Sequence, residues 1–286
     1  MQSVKDIKAR IKSVSETAKI TKAMELISAS KMQKASVRYN NSQAYFIKVR
    51  RILGDIMHNT EFDEDNMHPY LDGKRAGRKA YLIIGSDKGL SGDYNHAVNE
   101  FAKSVIGEDD GSIIFCIGDV VYKNFLPLYK DVRKINCPEG TLEDARIIAT
   151  HIAEDYKKGE INRVEVIYMH LVTKSKQECS VMKLLPILKE DFPVEKENEY
   201  IKRLDFEPDA MSVFAILVPQ YLVGILYGCI TEGKYAEHLE RMRAMNAACD
   251  SAEKLMDELQ LNYNKARQEK ITTELTELSV SLLETE

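Results

Sequence analysis

The two ends of the chain lack proline and glycine, and this constrains the fold more than any other feature. Residues 1–53 and 234–286 contain neither residue, whereas all 14 glycines and all 7 prolines lie between them. Because glycine and proline disfavour helix interiors most strongly, the two segments predict helices far longer than the usual three or four turns. At about 1.5 Å per residue, each could extend roughly 80 Å.

Apolar residues in both segments recur at spacings of three and four, as in a coiled coil. The N-terminal stripe is Val4, Ile7, Ile11, Val14 and Ala18, after which a shift of register is predicted to bring in Ile20, Met24 and Ile27. The C-terminal stripe is Met242, Met245, Cys249, Ala252, Met256, Leu259, Tyr263 and Ala266, followed after a second shift by Ile271, Leu275, Leu278 and Leu282. Two such stripes in one folded unit predict an antiparallel helix pair.

Charge is distributed unevenly along the chain, which carries −5 overall. Residues 1–53 hold 12 Lys and Arg against 3 Asp and Glu, and residues 234–286 hold 7 against 11. The basic surplus of the first segment exceeds what the second neutralises, so it predicts either an acidic partner or a merely solvated face. The acidic total argues against general nucleic-acid binding.

The middle of the chain predicts an α/β domain. Three β-rich apolar runs, at 80–84, 112–117 and 164–172, are separated by amphipathic stretches, which favours a mostly parallel, Rossmann-like sheet. A helix is predicted over 142–157 with a capping box at Thr141 and Asp144. An edge strand is predicted over 178–187, and Pro186 is predicted to end it. Residues 54–79 are predicted to form a connecting loop. Pro208 is predicted to lie in the first turn of the last helix. The predicted domains are a helix over 1–56, an α/β domain over 57–207 and a helix over 208–286.

The segment "IIGSDKGLSGDYN", residues 83–95, is the most enzyme-like part of the sequence. A glycine-rich turn between a strand and a helix can bind phosphate, but Gly85, Gly89 and Gly92 have neither dinucleotide nor P-loop spacing. The pattern favours a structural turn over a phosphate site. No catalytic constellation or metal-ligand cluster is predicted, no cofactor is implied, and five scattered cysteines indicate reduced, mostly buried thiols. The apolar residues 212–230, interrupted by Pro219, predict a buried helix rather than a membrane span.

Several long motifs resemble a known family. The segments at 7–35 ("IKARIKSVSETAKITKAMELISASKMQKA"), 68–71 ("HPYL"), 85–95 ("GSDKGLSGDYN") and 241–278 are similar to the gamma subunit of F-type ATP synthase. Ser91 and Asp93 depart from the family, which usually has Cys and Gly there. The resemblance covers nearly the whole chain and implies the fold already described: a long antiparallel coiled coil with an α/β domain.

The resemblance also implies a function. The protein would be a non-catalytic rotor shaft that couples rotation of a membrane ring to the catalytic sites of a hexameric head of alpha and beta subunits. Its other implied partners are the epsilon subunit and the c-subunit ring, with no nucleic acid. The implied location is peripheral, at the cytoplasmic face of a bacterial plasma membrane.

The same resemblance suggests which residues meet the head. The implied contacts are Lys19, Lys22, Met24, Lys31, Lys34, Arg267, Gln268, Thr272 and Glu274. Leu278, Leu282 and Leu283 are implied to form the shaft tip inside an apolar sleeve. Two other classes of function are compatible with parts of the sequence: a static coiled-coil adaptor, from the helices and charge alone, and a nucleotide-binding enzyme, from residues 85–95 alone.

Overall fold

A computed structural model describes residues 3–60, 68–72, 76–108, 111–173, 176–192 and 206–283, with side chains described as far as residue 276. The helices are α1 (Val4–Asn59), α2 (Tyr94–Ile106), α3 (Asp119–Phe125), α4 (Leu142–Lys158) and α5 (Ala210–Leu283). The strands are β1 (Arg78–Ile84), β2 (Ile113–Ile117), β3 (Asp131–Ile135), β4 (Ile161–Leu171) and β5 (Gln177–Leu185), and short 3₁₀ turns cover Pro69–Leu71 and Lys189–Asp191.

The chain divides into two compact units. One contains residues 1–29 and 241–286, and is called the stalk unit here; the other contains residues 30–240 and is called the α/β unit. The domain limits predicted from the sequence differ from this division and stay a prediction.

Five strands form one sheet in the order β3-β2-β1-β4-β5. β1 pairs in parallel with β2 and β4, β2 pairs in parallel with β3, and β5 adds to β4 in antiparallel orientation. The predicted mostly parallel sheet and its edge strand are therefore confirmed. β3 escaped prediction because its residues, "DVRKI", are largely polar and lie at an edge that needs little apolar surface.

Both faces of the sheet are covered. On one face Ala80, Leu82 and Ile84 pack in a core with α4 and with parts of α1 and α5, and on the other Tyr81 and Ile83 pack with α2 and α3. This two-sided burial explains the near-continuous apolar run of β1, which is typical of parallel strands. Residues 214–230 of α5 contribute many buried side chains to the first core, so the prediction of a buried helix there is confirmed.

Local capping fixes several helix ends. Thr141 and Asp144 form the predicted capping box, with the Asp144 amide donating to Thr141 Oγ1 at 3.1 Å and the Thr141 amide donating to Asp144 Oδ2 at 2.8 Å. α5 begins at Ala210, not at Pro208, because the Asp209 carboxylate accepts the Ser212 amide at 2.9 Å and so caps the helix. The predicted loop over 54–79 was wrong at its start, since α1 continues to Asn59.

Within the described residues, one helix segment, 210–276, is long and apolar enough to cross a membrane by length and composition, and half of its most apolar window is buried inside the protein. A buried core helix passes the same test.

Candidate functional site

Within the stalk unit, α1 and α5 run antiparallel. The Cys249 thiol lies 4.0 Å from the Ala18 carbonyl oxygen, and Ile7 and Leu259, displaced in opposite directions from that contact, are both buried. Counting back along α1 from Ala18, and equally far forward along α5 from Cys249, brings Val4, the first residue of α1, level with Tyr263. The antiparallel pair predicted from the sequence is therefore present.

The buried stripe of α1 keeps its spacing past Ala18 without a shift of register. Thr21, Glu25 and Ser28 continue the half-buried and buried positions, whereas Ile20 and Ile27 are 63% and 56% exposed. The predicted register shift was therefore wrong at Ile20 and Ile27. Met24, the third residue assigned to the shifted stripe, is half-buried.

Hydrogen bonds within α1 explain how polar residues occupy this stripe. Thr21 Oγ1 donates to the Thr17 carbonyl oxygen at 2.9 Å, and Ser28 Oγ donates to the Met24 carbonyl oxygen at 2.8 Å. A hydroxyl that is bonded to its own helix costs little to bury, because its donor is satisfied. The contact stripe of α1 therefore continues in the same register through Thr21 and Ser28, and the more hydrophobic Ile20 and Ile27 stay outside it.

The C-terminal stripe is confirmed as far as Ala266. Met245, Cys249 and Leu259 are buried, and the remaining members are half-buried. Beyond Ala266 every described side chain up to Thr276 is exposed, including Ile271 at 43% and Leu275 at 62%. The reason is that α1, as described from Val4, begins near the level of Tyr263, so among the described residues no helix pairs with α5 beyond that level.

The exposed apolar side chains form the part of the stalk that sequence reasoning missed. Ile20, Leu26 and Ile27 on α1, and Leu261, Ile271 and Leu275 on α5, are all large and solvent-exposed in this chain. For the three residues of α1, the available signal was their position outside an unbroken 4-7-11-14-18-21-25-28 spacing. Reading that spacing strictly, even through polar residues, would have separated seam from surface.

The predicted basic contacts on α1 are exposed. Lys19 and Lys22 lie in the stalk unit, and Lys31 and Lys34 lie in the α/β unit. Lys22 Nζ donates to Glu25 Oε2 at 2.8 Å, and this hydrogen bond, with the charge of Glu25, raises the pKa of the lysine. The Lys22 side chain is exposed while that of Glu25 is half-buried, so the pair lies at the edge of the seam.

The predicted contacts on α5 are exposed as well. Arg267, Gln268, Thr272 and Glu274 all lie on the unpartnered part of the helix. Thr272 Oγ1 donates to the Gln268 carbonyl oxygen at 3.0 Å, and Lys270 Nζ lies 3.5 Å from Glu274 Oε1. Leu278, Leu282 and Leu283 lie within helix α5, but the structure does not describe their side chains.

The contact candidates of the stalk unit do not form one patch. Lys19 follows Ala18, which lies beside Cys249, and at about 1.5 Å per residue the helix from Cys249 to Arg267 spans about 27 Å. The structure therefore gives two separate zones along the stalk rather than a single site.

The glycine-rich turn after β1 is held by its own side chains. Ser86 Oγ lies 2.7 Å from the Lys88 carbonyl oxygen and 2.8 Å from Asn95 Oδ1, and Asn95 Nδ2 donates to Ser91 Oγ at 3.0 Å. Ser86 and Ser91 are fully buried. A side chain at Gly85 would place its Cβ 2.0 Å from Val121 Cγ2, so this glycine is required by close packing against α3.

Helix α5 covers the carboxyl ends of β1 and β4, where open α/β sheets bind nucleotides. Glu232 Oε2 accepts the Leu171 amide at 3.3 Å and lies 2.8 Å from His170 Nδ1. A Cβ at Gly233 would lie 2.8 Å from Ile84 Cγ2, and Lys234 Nζ lies 3.7 Å from Asp87 Oδ2. Helix α5 thus fills the crevice at these strand ends. This favours the interpretation of residues 85–95 as a structural turn over a phosphate-binding site.

Burial raises the pKa of a tyrosine near Glu232 and of two cysteines in the α/β unit. Tyr39 is half-buried, and desolvation together with the nearby Glu232 carboxylate raises the pKa of its phenol.

All five cysteines are unpaired, and four of them are buried. Desolvation raises the pKa of the Cys116 thiol to about 12 and that of Cys137 to about 11, so both thiols are unreactive at neutral pH. Among the described residues there is no group of three or more His, Cys, Asp and Glu that could hold a metal ion.

Together these features define a class of protein with two units: one in which two long helices pair antiparallel, and an α/β unit in which α5 covers the carboxyl ends of β1 and β4. A family model described as ATP synthase matches residues 3–281. The chain is 34% identical over 287 residues to the ATP synthase gamma chain of Acetivibrio thermocellus, covering 97% of each, and 34% identical over 283 residues to that of Halothermothrix orenii, again covering 97% of each. It belongs to the ATP synthase gamma-chain family, which confirms the resemblance.

Solved structures agree on the fold. The Euglena gracilis mitochondrial ATP synthase structure of OSCP, F1 and c-ring in rotational state 3 contains a chain that matches with a TM-score of 0.66 at 17% identity, covering 98% of this chain and 93% of that one. The rotor of the same enzyme in rotational state 1 matches with a TM-score of 0.64 at 16% identity, covering 94% and 98%.

Proposed function

We propose that this chain is the central rotor shaft of an ATP synthase. Rotation of a membrane ring, driven by ions, would turn the shaft, and the shaft would cycle catalytic sites that lie in other subunits. The observation that carries the proposal is the apolar surface that the described part of the stalk leaves exposed: Ile20 and Ile27 are large aliphatic side chains that are 63% and 56% exposed. Burying such a side chain is worth about 1.5–3 kcal/mol, so their exposure favours a surrounding partner.

The partners follow from the relatives and from the charge. The surface of α1 carries the basic surplus, with Lys19, Lys22, Lys31 and Lys34 exposed, which suits acidic loops of an alpha/beta head. The epsilon subunit and the c-subunit ring are proposed to bind the α/β unit. A peripheral position on the cytoplasmic face of a bacterial plasma membrane follows from the same proposal, and the Acetivibrio and Halothermothrix relatives support a bacterial assembly.

A two-helix stalk suits the transmission of rotation for a physical reason. It lacks three-fold symmetry, so three surrounding sites would each meet a different side of it and adopt a different conformation. Turning the stalk would then move each site through the same conformations in sequence, a population shift driven by rotation. The long helices, without proline or glycine over 1–53 and 234–286, supply the stiffness that torque requires.

Catalysis is assigned to other subunits. The turn at 85–95 is closed on itself by Ser86, Ser91 and Asn95, and α5 fills the crevice beside it. We expect the isolated chain to hydrolyse no ATP and to show no micromolar ATP binding by calorimetry. Micromolar binding that is lost in Gly89→Val would instead support the nucleotide-binding reading.

The rotor proposal is tested by Arg267→Ala combined with Gln268→Ala. Both side chains are exposed on the unpartnered part of α5, so in water their loss is expected to change stability by no more than about 0.5 kcal/mol. In contact with head loops, they would supply charge-assisted hydrogen bonds worth about 1.5–3 kcal/mol. We expect lower ATP hydrolysis and ATP-driven ion pumping in the reconstituted complex, with an unchanged melting temperature of the chain. Normal turnover and pumping would reject the contact, and a chain that never assembles with an ATPase head would indicate a static adaptor.

A further inference from the structure

A cavity of about 820 Å³ lies in the α/β unit between α1, α4 and α5. Helix α1 contributes residues from Arg38 to Phe46, α4 contributes residues from Leu142 to Lys157, and α5 contributes residues from Pro219 to Tyr227. Its volume falls within the range of about 300–1,000 Å³ that is usual for small-molecule sites. None of its lining belongs to the stalk contacts or to the turn after β1.

The lining of the cavity is mainly apolar and includes four aromatic rings, beside the neutral polar side chains of Asn41, Ser42, Thr150 and Gln220. Its walls include Phe46, Tyr70, Ala153 and Tyr227, of which Tyr70 is fully buried and Ala153 is 8% exposed. The Phe46 ring centroid lies 6.4 Å from that of Tyr227 and 5.2 Å from that of Tyr45, within the range of favourable aromatic pairs. The faces and edges of these rings that are not in contact with each other could stack on a flat aromatic ligand.

The charged side chains around the cavity are mainly cationic. Arg38, Arg146 and Lys157 line it, against a single carboxylate from Glu154. Arg38 donates to the Glu139 carbonyl oxygen at 2.8 Å through one nitrogen, and Arg146 pairs with Glu143 at 3.0 Å. A guanidinium carries five N–H donors, so these contacts leave both arginines able to bind an anion as well.

The face of Tyr70 already interacts with a cation. Lys157 Nζ lies 5.2 Å from the ring centroid, an arrangement that holds the ammonium group at the cavity wall. A cationic guest would therefore meet a like charge beside the ring that could otherwise attract it. An anionic group would instead be attracted to the same lysine.

We propose that this cavity binds an organic anion with an aromatic body and one carboxylate, sulfonate or phosphate group. The aromatic walls accept the body, and the three cationic side chains attract the anionic group. The proposal is independent of the rotor function, since none of the residues it uses is assigned to the stalk contacts.

The test is calorimetric titration of the full chain with three matched probes: 2-naphthoate, the neutral 2-naphthamide and the cationic 2-naphthylmethylammonium. We expect saturable binding of one naphthoate per chain, at least about tenfold weaker binding of the amide because a charge-assisted contact is lost, and no binding of the ammonium compound. Lack of saturable naphthoate binding, or equal binding of all three probes, would overturn the proposal.

Variants locate the binding. Lys157→Gln removes a cation from the lining, whereas Lys158→Gln removes the same charge from the next, exposed residue of α4, which does not line the cavity. We expect naphthoate affinity to fall about tenfold in the first variant and to stay unchanged in the second. Ala153→Phe, with its melting temperature checked, should abolish binding by filling the space. Equal affinity in Lys157→Gln and Lys158→Gln would place the probe elsewhere and reject this site.

Discussion

The Cys249 thiol of α5 lies 4.0 Å from the Ala18 carbonyl oxygen of α1, and this contact sets the register of the antiparallel stalk. At this level Cys249 is buried and Ala18 is half-buried. Residues that flank this level along either helix therefore divide sharply into seam and surface, as Cys249 and its exposed neighbour Ala248 do.

This division predicts the effect of a single charge. Cys249→Lys would bury an ammonium group and break the packing, and we expect it to lower the free energy of unfolding by about 2–3 kcal/mol. Ala248→Lys introduces the same side chain on the exposed face and should change stability by less than about 0.5 kcal/mol. Thermal unfolding followed by circular dichroism compares the two. Equal melting temperatures would show that Cys249 is not in a packed seam.

Two glycines of one turn provide a second matched pair. A Cβ at Gly85 would lie 2.0 Å from Val121 Cγ2, and Val121 is a fully buried β-branched residue, whereas a Cβ at Gly89 would meet no atom within 4 Å. Gly85→Ala should therefore destabilise the protein by about 1–3 kcal/mol, and Gly89→Ala should be neutral or slightly stabilising. Urea unfolding measures both. A greater loss in Gly89→Ala would contradict the packing described for this turn.

The exposed isoleucines of the stalk are expected to contribute to binding of the head but not to the stability of the isolated chain. Ile20→Ser combined with Ile27→Ser should leave the melting temperature of the chain unchanged, because both side chains are more than half exposed. Binding to an alpha/beta head should weaken by about 1.5–3 kcal/mol for each side chain that the head buries.

The matched control for the isoleucine variant is Lys12→Ser combined with Glu16→Ser. This is an exposed pair on the same helix, with 4.0 Å between ammonium and carboxylate. It should change head affinity by no more than about threefold. Unaltered head binding of the isoleucine variant would mean that the two side chains stay in water.

Buried phenols predict a loss of stability at alkaline pH. Desolvation raises the pKa of Tyr221 from 10.0 to about 12 and also raises that of Tyr168. A phenol whose pKa is higher in the folded than in the unfolded chain stabilises the fold fully at pH values below its unfolded pKa. This contribution to stability is lost as the pH rises from the unfolded pKa toward the folded pKa. Stability should therefore fall between about pH 10 and pH 12.

The alkaline loss can be assigned with single hydroxyl deletions. Tyr221→Phe should move the midpoint of alkaline unfolding to higher pH, because one ionisation that favours the unfolded chain is removed. Tyr263→Phe, at a half-buried ring of the stalk, provides the comparison. An alkaline midpoint that is identical in the parent and in Tyr221→Phe would contradict a role for this phenol.

The sequence by itself determined the features that depend on local chemistry. Segments without proline or glycine fixed two long helices, Thr141 and Asp144 fixed a helix start, and the spacing from Met242 to Ala266 fixed the seam of α5. Each of these depends on neighbours within a few residues along the chain, so a single sequence suffices. The terminal motifs likewise identify the family from the sequence alone.

Only the tertiary structure decided where those elements meet. Ile20 and Ile27 look like seam residues by hydrophobicity, yet they are exposed, because packing is set by where the partner helix runs and the hydroxyls of Thr21 and Ser28 bond their own helix. The edge strand β3, the closure of the crevice by α5 and the cavity beside Tyr70 also arise from contacts between residues far apart in sequence. A spacing pattern records which side chains are apolar, but burial depends on what lies opposite them in space, and that is fixed only when the whole chain is folded.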